Sequence, residues 1–158
     1  MTTASATRRE IETASPAETM ALAGRLATVA EPGDLICIRG ELGAGKTVFA
    51  KGFGAGLGVP GTISSPSFVL MAEYVGRLPL FHLDLYRLAG ATDVFEGGLI
   101  DDRQAAGVVL VEWPERMGSM LPSPRLDVDI DVTGDQGRRL RLRAVGHGPE
   151  RFLEVARA

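Results

Sequence analysis

A chain of 158 residues is long enough to bury one substantial hydrophobic core and shorter than two ordinary domains require, so a single domain over 1–158 is expected, with about 1–9 and 146–158 as peripheral tails. The formal net charge of −3 excludes a globally basic surface that attracts nucleic acid, and the single cysteine, Cys37, excludes an intrachain disulfide or a cysteine metal cluster and reads as a core residue. No apolar stretch reaches the roughly 18 residues of a membrane span, and the start, with Arg8-Arg9-Glu10 and no apolar run behind it, does not read as a signal peptide; a cytoplasmic location with no membrane or DNA partner is expected.

Reading forward, Ile11 to Thr13 is a candidate first strand. Ser15-Pro16-Ala17-Glu18 then carries the marks of a helix start: Ser as N-cap, Pro at the first helical position, and Glu to complete a capping box. Ala17, Met20, Ala21, Leu22, Leu26 and Val29 fall near one face, which predicts a helix to about Val29 packed on a sheet. After the Pro32-Gly33 turn, Asp34-Leu35-Ile36-Cys37-Ile38-Arg39 reads as an inner parallel strand.

That strand leads into Gly40-Glu41-Leu42-Gly43-Ala44-Gly45-Lys46-Thr47, a complete G-x-x-x-x-G-K-[ST] phosphate loop. Glycine is needed where a Cβ cannot be tolerated, so that successive backbone N–H groups point inward and cradle the phosphates. The lysine supplies a mobile point charge for the β- and γ-phosphates, and the threonine hydroxyl ligates Mg²⁺. Glu41, Leu42, Gly43, Ala44, Gly45, Lys46, Thr47 and Val48 are therefore expected to line a nucleotide, with ATP and Mg²⁺ as cofactors. Val48, Phe49, Phe53 and Leu57 recur near helical spacing, so the loop should open a helix over Thr47 to Gly56 whose N-terminus faces the phosphates. Guanine-specific loops of this class read the base through a downstream Asn/Thr-Lys-x-Asp element. No lysine follows Lys51, which leaves adenine as the expected base.

Gly58-Val59-Pro60-Gly61 breaks the chain, and the hydroxyl-rich Thr62 to Phe68 enters a strand near Phe68 to Tyr74. A turn at Gly76 and Arg77 precedes a strand over Leu78 to Leu85, which predicts an antiparallel hairpin. Weak helical signals lie near Thr92 to Glu96 and Asp101 to Ala105, and Gly107-Val108-Val109-Leu110-Val111-Glu112 is the cleanest buried strand. Leu126 to Val132 and Arg138 to Val145 alternate strictly around Thr133 to Gly137, predicting a second hairpin at a sheet edge. The basic run Arg138-Arg139-Leu140-Arg141-Leu142-Arg143 within it reads as a strand with one solvated charged face in preference to a functional basic face. The pattern is α/β: a P-loop NTPase-like three-layer fold, its mixed sheet a parallel core plus antiparallel hairpins, flanked by helices.

Phosphoryl transfer also needs a carboxylate at the end of a buried strand, aimed at the metal or the attacking water. Glu112 ends one such strand and Asp84 another, at the carboxyl edge where open α/β sheets place their ligands. Either could hold Mg²⁺ through water while the other orients the attacking water, and spacing alone does not assign the roles. The bland reading of each is an acid capping the next turn. His82 shares the face of Asp84 and reads as a satisfied structural histidine. Trp113, the sole tryptophan, is either a core anchor or a rigid aromatic flanking the nucleotide or a partner surface.

The phosphate loop, Ser64-Ser65-Pro66-Ser67-Phe68, His82-Leu83-Asp84-Leu85-Tyr86-Arg87-Leu88 and Val111-Glu112-Trp113-Pro114 occur in this order and spacing in the TsaE (YjeE) family of bacterial ATPases, which the chain resembles over roughly residues 10 to 145. The resemblance implies a small cytoplasmic ATPase needed for threonylcarbamoyl modification of the adenosine beside the anticodon in tRNAs reading codons that start with A. It implies TsaB and TsaD as partners, reset by ATP hydrolysis for repeated turnover, with tRNA involved indirectly. By position, Lys46 and Thr47 keep their loop roles, Glu112 is the metal-side acid, Asp84 the second essential acid, and Trp113 lies near the site. Ser67 stands where the family commonly has threonine in Ser-Pro-Thr, and the Thr62 to Phe68 segment resembles a γ-phosphate switch. Ser15 and Arg138 are adenine-side candidates, because the family binds the base between its N-terminal segment and its late strands. Two other classes are weighed: a nucleotide-gated binding module in which hydrolysis is incidental, and a small-molecule kinase.

Overall fold

The computed structural model describes residues 7–63, 71–86 and 102–157. Two apolar runs are buried and so take central places: β2 (Leu35–Arg39) lies parallel to β5 (Val108–Glu112) on one side and to β6 (Arg125–Val132) on the other. β5 pairs in parallel with β4 (Pro79–Asp84), which makes the predicted hairpin with β3 (Met71–Val75). β6 makes the second hairpin with β7 (Arg138–Val145), and β1 (Arg8–Thr13) adds antiparallel to the far side of β7. The seven strands run in the order β1-β7-β6-β2-β5-β4-β3, a parallel core with antiparallel strands at both ends, which is the expected class.

The second hairpin is not at the sheet edge. Its outer strand is covered by β1, which begins at Arg8 and not at Ile11, because Glu10 and Glu12 lie opposite Arg141 and Arg139 of β7 and pairing continues through them. The charged side chains of this region share one face. Arg139 reaches Glu12 at 2.9 Å, Arg141 reaches Asp131 at 2.8 Å, and Asp127 is held by Arg39, Arg125 and Arg143 at 3.0, 2.9 and 2.9 Å. The arginines from 139 to 143 therefore form a cross-strand ladder of ion pairs on one charged face, although β7 is not the strand edge that the basic run suggests, because β1 covers it.

The opposite face carries the main core. Helix α1 (Pro16–Ala27) starts as predicted, the Ser15 hydroxyl accepting from Glu18 N–H at 3.2 Å, while the Glu18 carboxylate accepts from Ala14 N–H, one residue before the capping-box position. Helix α2 (Lys46–Gly56) follows the loop. A Cβ at Gly52 would lie 2.3 Å from Met20 O and one at Gly56 2.4 Å from Gly24 O, so the two helices touch backbone to backbone. Phe49, Phe53, Leu22 and Leu26 from this pair pack on Ile36, Ile38, Leu110 and Val128 of the sheet. The C-terminal segment, expected to be peripheral, instead forms α3 (Glu150–Val155) and inserts Phe152 and Leu153, each 1% exposed, into this core. Its six residues follow Gly146-His147-Gly148-Pro149, which reads as a tail until the apolar pair finds its hydrophobic partners.

On the other face, Cys37, Phe81, Leu83, Val109 and Val111 form a second cluster under Met117 and Leu121 at the 3-10 segment Pro114–Met120. Burial pushes the Cys37 thiol up to about 12, with Asp127 adding to it, which fits an inert core residue. Of the weak helical signals, Asp102–Ala106 is a 3-10 turn, and Thr92 to Glu96 lies outside the described residues. No helix among the described residues is long and apolar enough to cross a membrane.

Candidate active site

The phosphate loop lies between the end of β2 and the start of α2, where the sheet ends. Gly43 (φ 81°) and Gly45 (φ 109°) adopt left-handed conformations that turn the chain into the helix, and a Cβ on Gly40 would meet Ile130 O at 2.9 Å. Lys46 is 6% exposed. Its ammonium donates to Gly40 O and to Glu41 O, the latter at 3.0 Å, and sits 4.3 Å from the centroid of the Trp113 ring. Burial lowers the Lys46 pKa, opposed chiefly by the negative field of Glu112.

Strand pairing brings the two acids together. Asp84 and Glu112 are register partners at the ends of β4 and β5, on the face that carries α2. Glu112 is 3% exposed, and its Oε2 lies 2.6 Å from Nε2 of fully buried His82. Asp84 Oδ1 accepts from Tyr86 N–H at 3.0 Å, so Asp84 does cap the following turn, and burial raises its pKa despite that hydrogen bond.

Directly after Glu112 the backbone departs from the ordinary. Trp113 is the one non-glycine residue with positive φ (61°) among the described residues. That conformation is costly for a bulky side chain and marks a site the surrounding structure holds in place. Its indole packs against Tyr86, ring centroids 4.9 Å apart, and it both packs on the second hydrophobic cluster and borders the loop cavity.

A cavity of about 310 Å³ is lined by loop residues Leu42, Gly43, Gly45, Lys46, Thr47 and Val48 together with Asp84, Tyr86, Glu112 and Trp113. Glu41 and Ala44 line a second hollow across the loop, about 480 Å³, with Trp113 and Glu115. A larger hollow, about 550 Å³, lies on the charged ladder at Arg8, Arg39 and Arg141, away from the loop; the chemistry identifies the site better than size does. The adenine-side candidates flank the other end. Pro16, Thr19 and Arg138 border a small recess beside Gly45 and Val48, while the Ser15 hydroxyl serves as the α1 cap. Arg138 donates to Ala44 O at 2.7 Å and Gly43 O at 3.4 Å, bracing the loop from β7. Ser67 lies outside the described residues.

The His82–Glu112 hydrogen bond, the Tyr86–Trp113 contact and the loop brace by Arg138 escape sequence reasoning, because each joins segments whose register is set by the sheet. The one signal available is the two-residue spacing of His82 and Asp84, which places both on one face.

Comparison with known proteins places the chain in a family. The family model for threonylcarbamoyl adenosine biosynthesis protein TsaE matches residues 13–140. The tRNA threonylcarbamoyladenosine biosynthesis protein TsaE of Bacillus subtilis is 41% identical over 143 residues, 90% of this chain and 89% of the relative, and that of Streptomyces coelicolor is 39% identical over 132 residues, 79% of this chain and 89% of the relative. The crystal structure of YdiB from Bacillus subtilis superposes with a TM-score of 0.75 at 39% identity, covering 93% of this chain and 92% of that one. The chain belongs to the TsaE family.

Proposed function

We propose that this protein is an ATPase of tRNA threonylcarbamoyladenosine biosynthesis whose ATP binding and hydrolysis reset the TsaB–TsaD pair for repeated turnover. The observation that carries this reading is the meeting, in one cavity, of a phosphate loop, its lysine, and two strand-end carboxylates in register. The loop N–H groups are oriented by Gly43 and Gly45, Lys46 supplies positive charge, and the carboxylates of Asp84 and Glu112 stand ready to orient water or metal-bound water.

The oxygens of Thr47, Asp84 and Glu112 suit a hard cation such as Mg²⁺, which is commonly held by one or two carboxylates plus substrate phosphates. Bound there, it would neutralise charge between the β- and γ-phosphates.

Lys46 is engaged by the carbonyls of Gly40 and Glu41 and by the Trp113 face, so reaching a phosphate means giving up part of that set. Slow turnover alone, accelerated when a partner rearranges the Trp113–Tyr86 cap, accords with this. One observation favours the second reading, a nucleotide-gated module without needed hydrolysis: Asp84 already has a capping role with Tyr86 N–H. The small-molecule kinase gains no supporting observation.

The test is multiple-turnover tRNA modification with TsaB and TsaD, with ATP compared against a non-hydrolysable analogue. The ATPase reading expects repeated turnover only with ATP. Equal turnover with both would favour the module, and modification unaffected by omitting this protein would overturn the assignment.

A further inference from the structure

We propose that His82 is a positioning residue for Glu112: its imidazole Nε2–H fixes the carboxylate in the orientation that the proposed ATPase site uses. The inference rests on the ATPase reading above and deepens it.

His82 lies inside β4 among apolar neighbours, 0% exposed, on the face that carries the main core. Neither strand formation nor core packing needs an imidazole there. Leu80 two residues earlier and Leu110, its register partner on β5, are fully buried hydrophobes. A buried polar ring is a cost unless its hydrogen bonds are made. Among the described residues, Nδ1 makes none, and Nε2 makes one, to Glu112 Oε2 at 2.6 Å. An ionised carboxylate only accepts, so opposite it the imidazole donates from Nε2.

Glu112 is itself 3% exposed and lines the loop cavity. A hydrogen bond from a fully buried ring to Oε2 restrains how the carboxylate turns toward that cavity. The neighbouring acid is treated alike: Asp84 is oriented by Tyr86 N–H. Each carboxylate thus receives a donor from β4 or the turn after it, and His82 is the one supplied by a side chain. Such supports of ligating or catalytic carboxylates commonly matter by 10- to 100-fold.

The experiment compares the unaltered full chain with His82→Leu and His82→Gln, measuring ATP turnover with TsaB–TsaD, the Mg²⁺ concentration giving half-maximal rate, mant-ADP affinity at low and saturating Mg²⁺, and Tm. Leucine suits the core but cannot donate; glutamine places an amide N–H near the position of Nε2. His82→Leu should lower kcat roughly 10- to 100-fold and raise the Mg²⁺ requirement, with KM for ATP within about threefold and the Mg²⁺ dependence of mant-ADP binding weakened. His82→Gln should recover most of both losses. Wild-type kcat and Mg²⁺ requirement in His82→Leu would overturn the proposal. So would a His82→Gln chain as impaired as His82→Leu with both melting early, since that pattern marks a structural role. Absence of hydrolysis by the unaltered chain would overturn the ATPase reading and this inference with it, whereas an active unaltered chain beside an indifferent His82→Leu overturns the inference alone.

Discussion

Two charged clusters sit on one sheet and are built in opposite ways. On β6, Asp127 is 2% exposed and meets three arginines. Burial, the largest single influence, pushes its carboxyl up, but hydrogen bonds from Arg143, Arg125 and Arg39 together outweigh it and hold the group below the usual carboxylate range. At the ends of β4 and β5 the balance is reversed. Burial wins at Asp84, raised, and at Lys46, lowered, each in the direction that weakens its charge. Compensation by three arginines marks Asp127 as an acid that holds the fold together, whereas the carboxyl of its neighbour Asp129 is raised by burial and its Oδ1 makes no hydrogen bond. Charges left partly desolvated around a cavity are common at functional sites, which is the reading proposed for Lys46 and Asp84.

The largest effect is expected at Glu112. Glu112→Gln keeps shape and removes charge, so ATP turnover should fall roughly 100-fold, about 2.7 kcal/mol of transition-state stabilisation, with the melting curve little changed. Asp127→Asn should do the reverse. Removing the acid leaves three arginines without their shared partner, which should cost about 2 kcal/mol in urea unfolding while turnover stays within twofold. Loss of turnover without loss of stability in Asp127→Asn would erase the distinction between the clusters.

Acid titration sharpens the contrast. A folded pKa below the unfolded one means Asp127 contributes stability above about pH 4 that is lost as pH falls through the depressed value, so Asp127→Asn should flatten the acid limb of the stability curve. Asp84 has the opposite sign. Its pKa is raised, so its ionisation costs stability as pH climbs from about 4 toward the folded value, and Asp84→Asn should melt no lower than the unaltered chain at pH 7. The asparagine oxygen can still cap Tyr86 N–H, yet turnover should fall roughly tenfold if the charge serves the site. Normal hydrolysis with earlier melting would make Asp84 a cap and nothing more. The smallest effect concerns Cys37, whose thiol, raised to about 12 and buried, should resist maleimide in the native protein and react on unfolding.

Where local pattern decides structure, the sequence is readable. β2 and β5 are short apolar runs, α1 announces its start at Ser15-Pro16, the loop motif opens α2, and both hairpins follow from alternation around turns. What stays hidden depends on distant pairing. The edge position of β1 needs the match of Glu10 and Glu12 with β7, more than 120 residues away. Phe152 and Leu153 declare themselves as core only against α1 and β7. The site divides likewise: Lys46, Thr47, Asp84 and Glu112 are visible as motif and strand ends, while the clasp of His82 on Glu112 exists only once β4 and β5 are in register.

The most direct measurement is steady-state ATP hydrolysis by Lys46→Ala beside Asp127→Asn, with Mg²⁺ and TsaB–TsaD, at a temperature where circular dichroism shows both folded. The proposed phosphate role of Lys46 predicts a fall of at least roughly 100-fold in Lys46→Ala and a nearly unchanged rate in Asp127→Asn. Lys46→Ala hydrolysing ATP at the unaltered rate would contradict it.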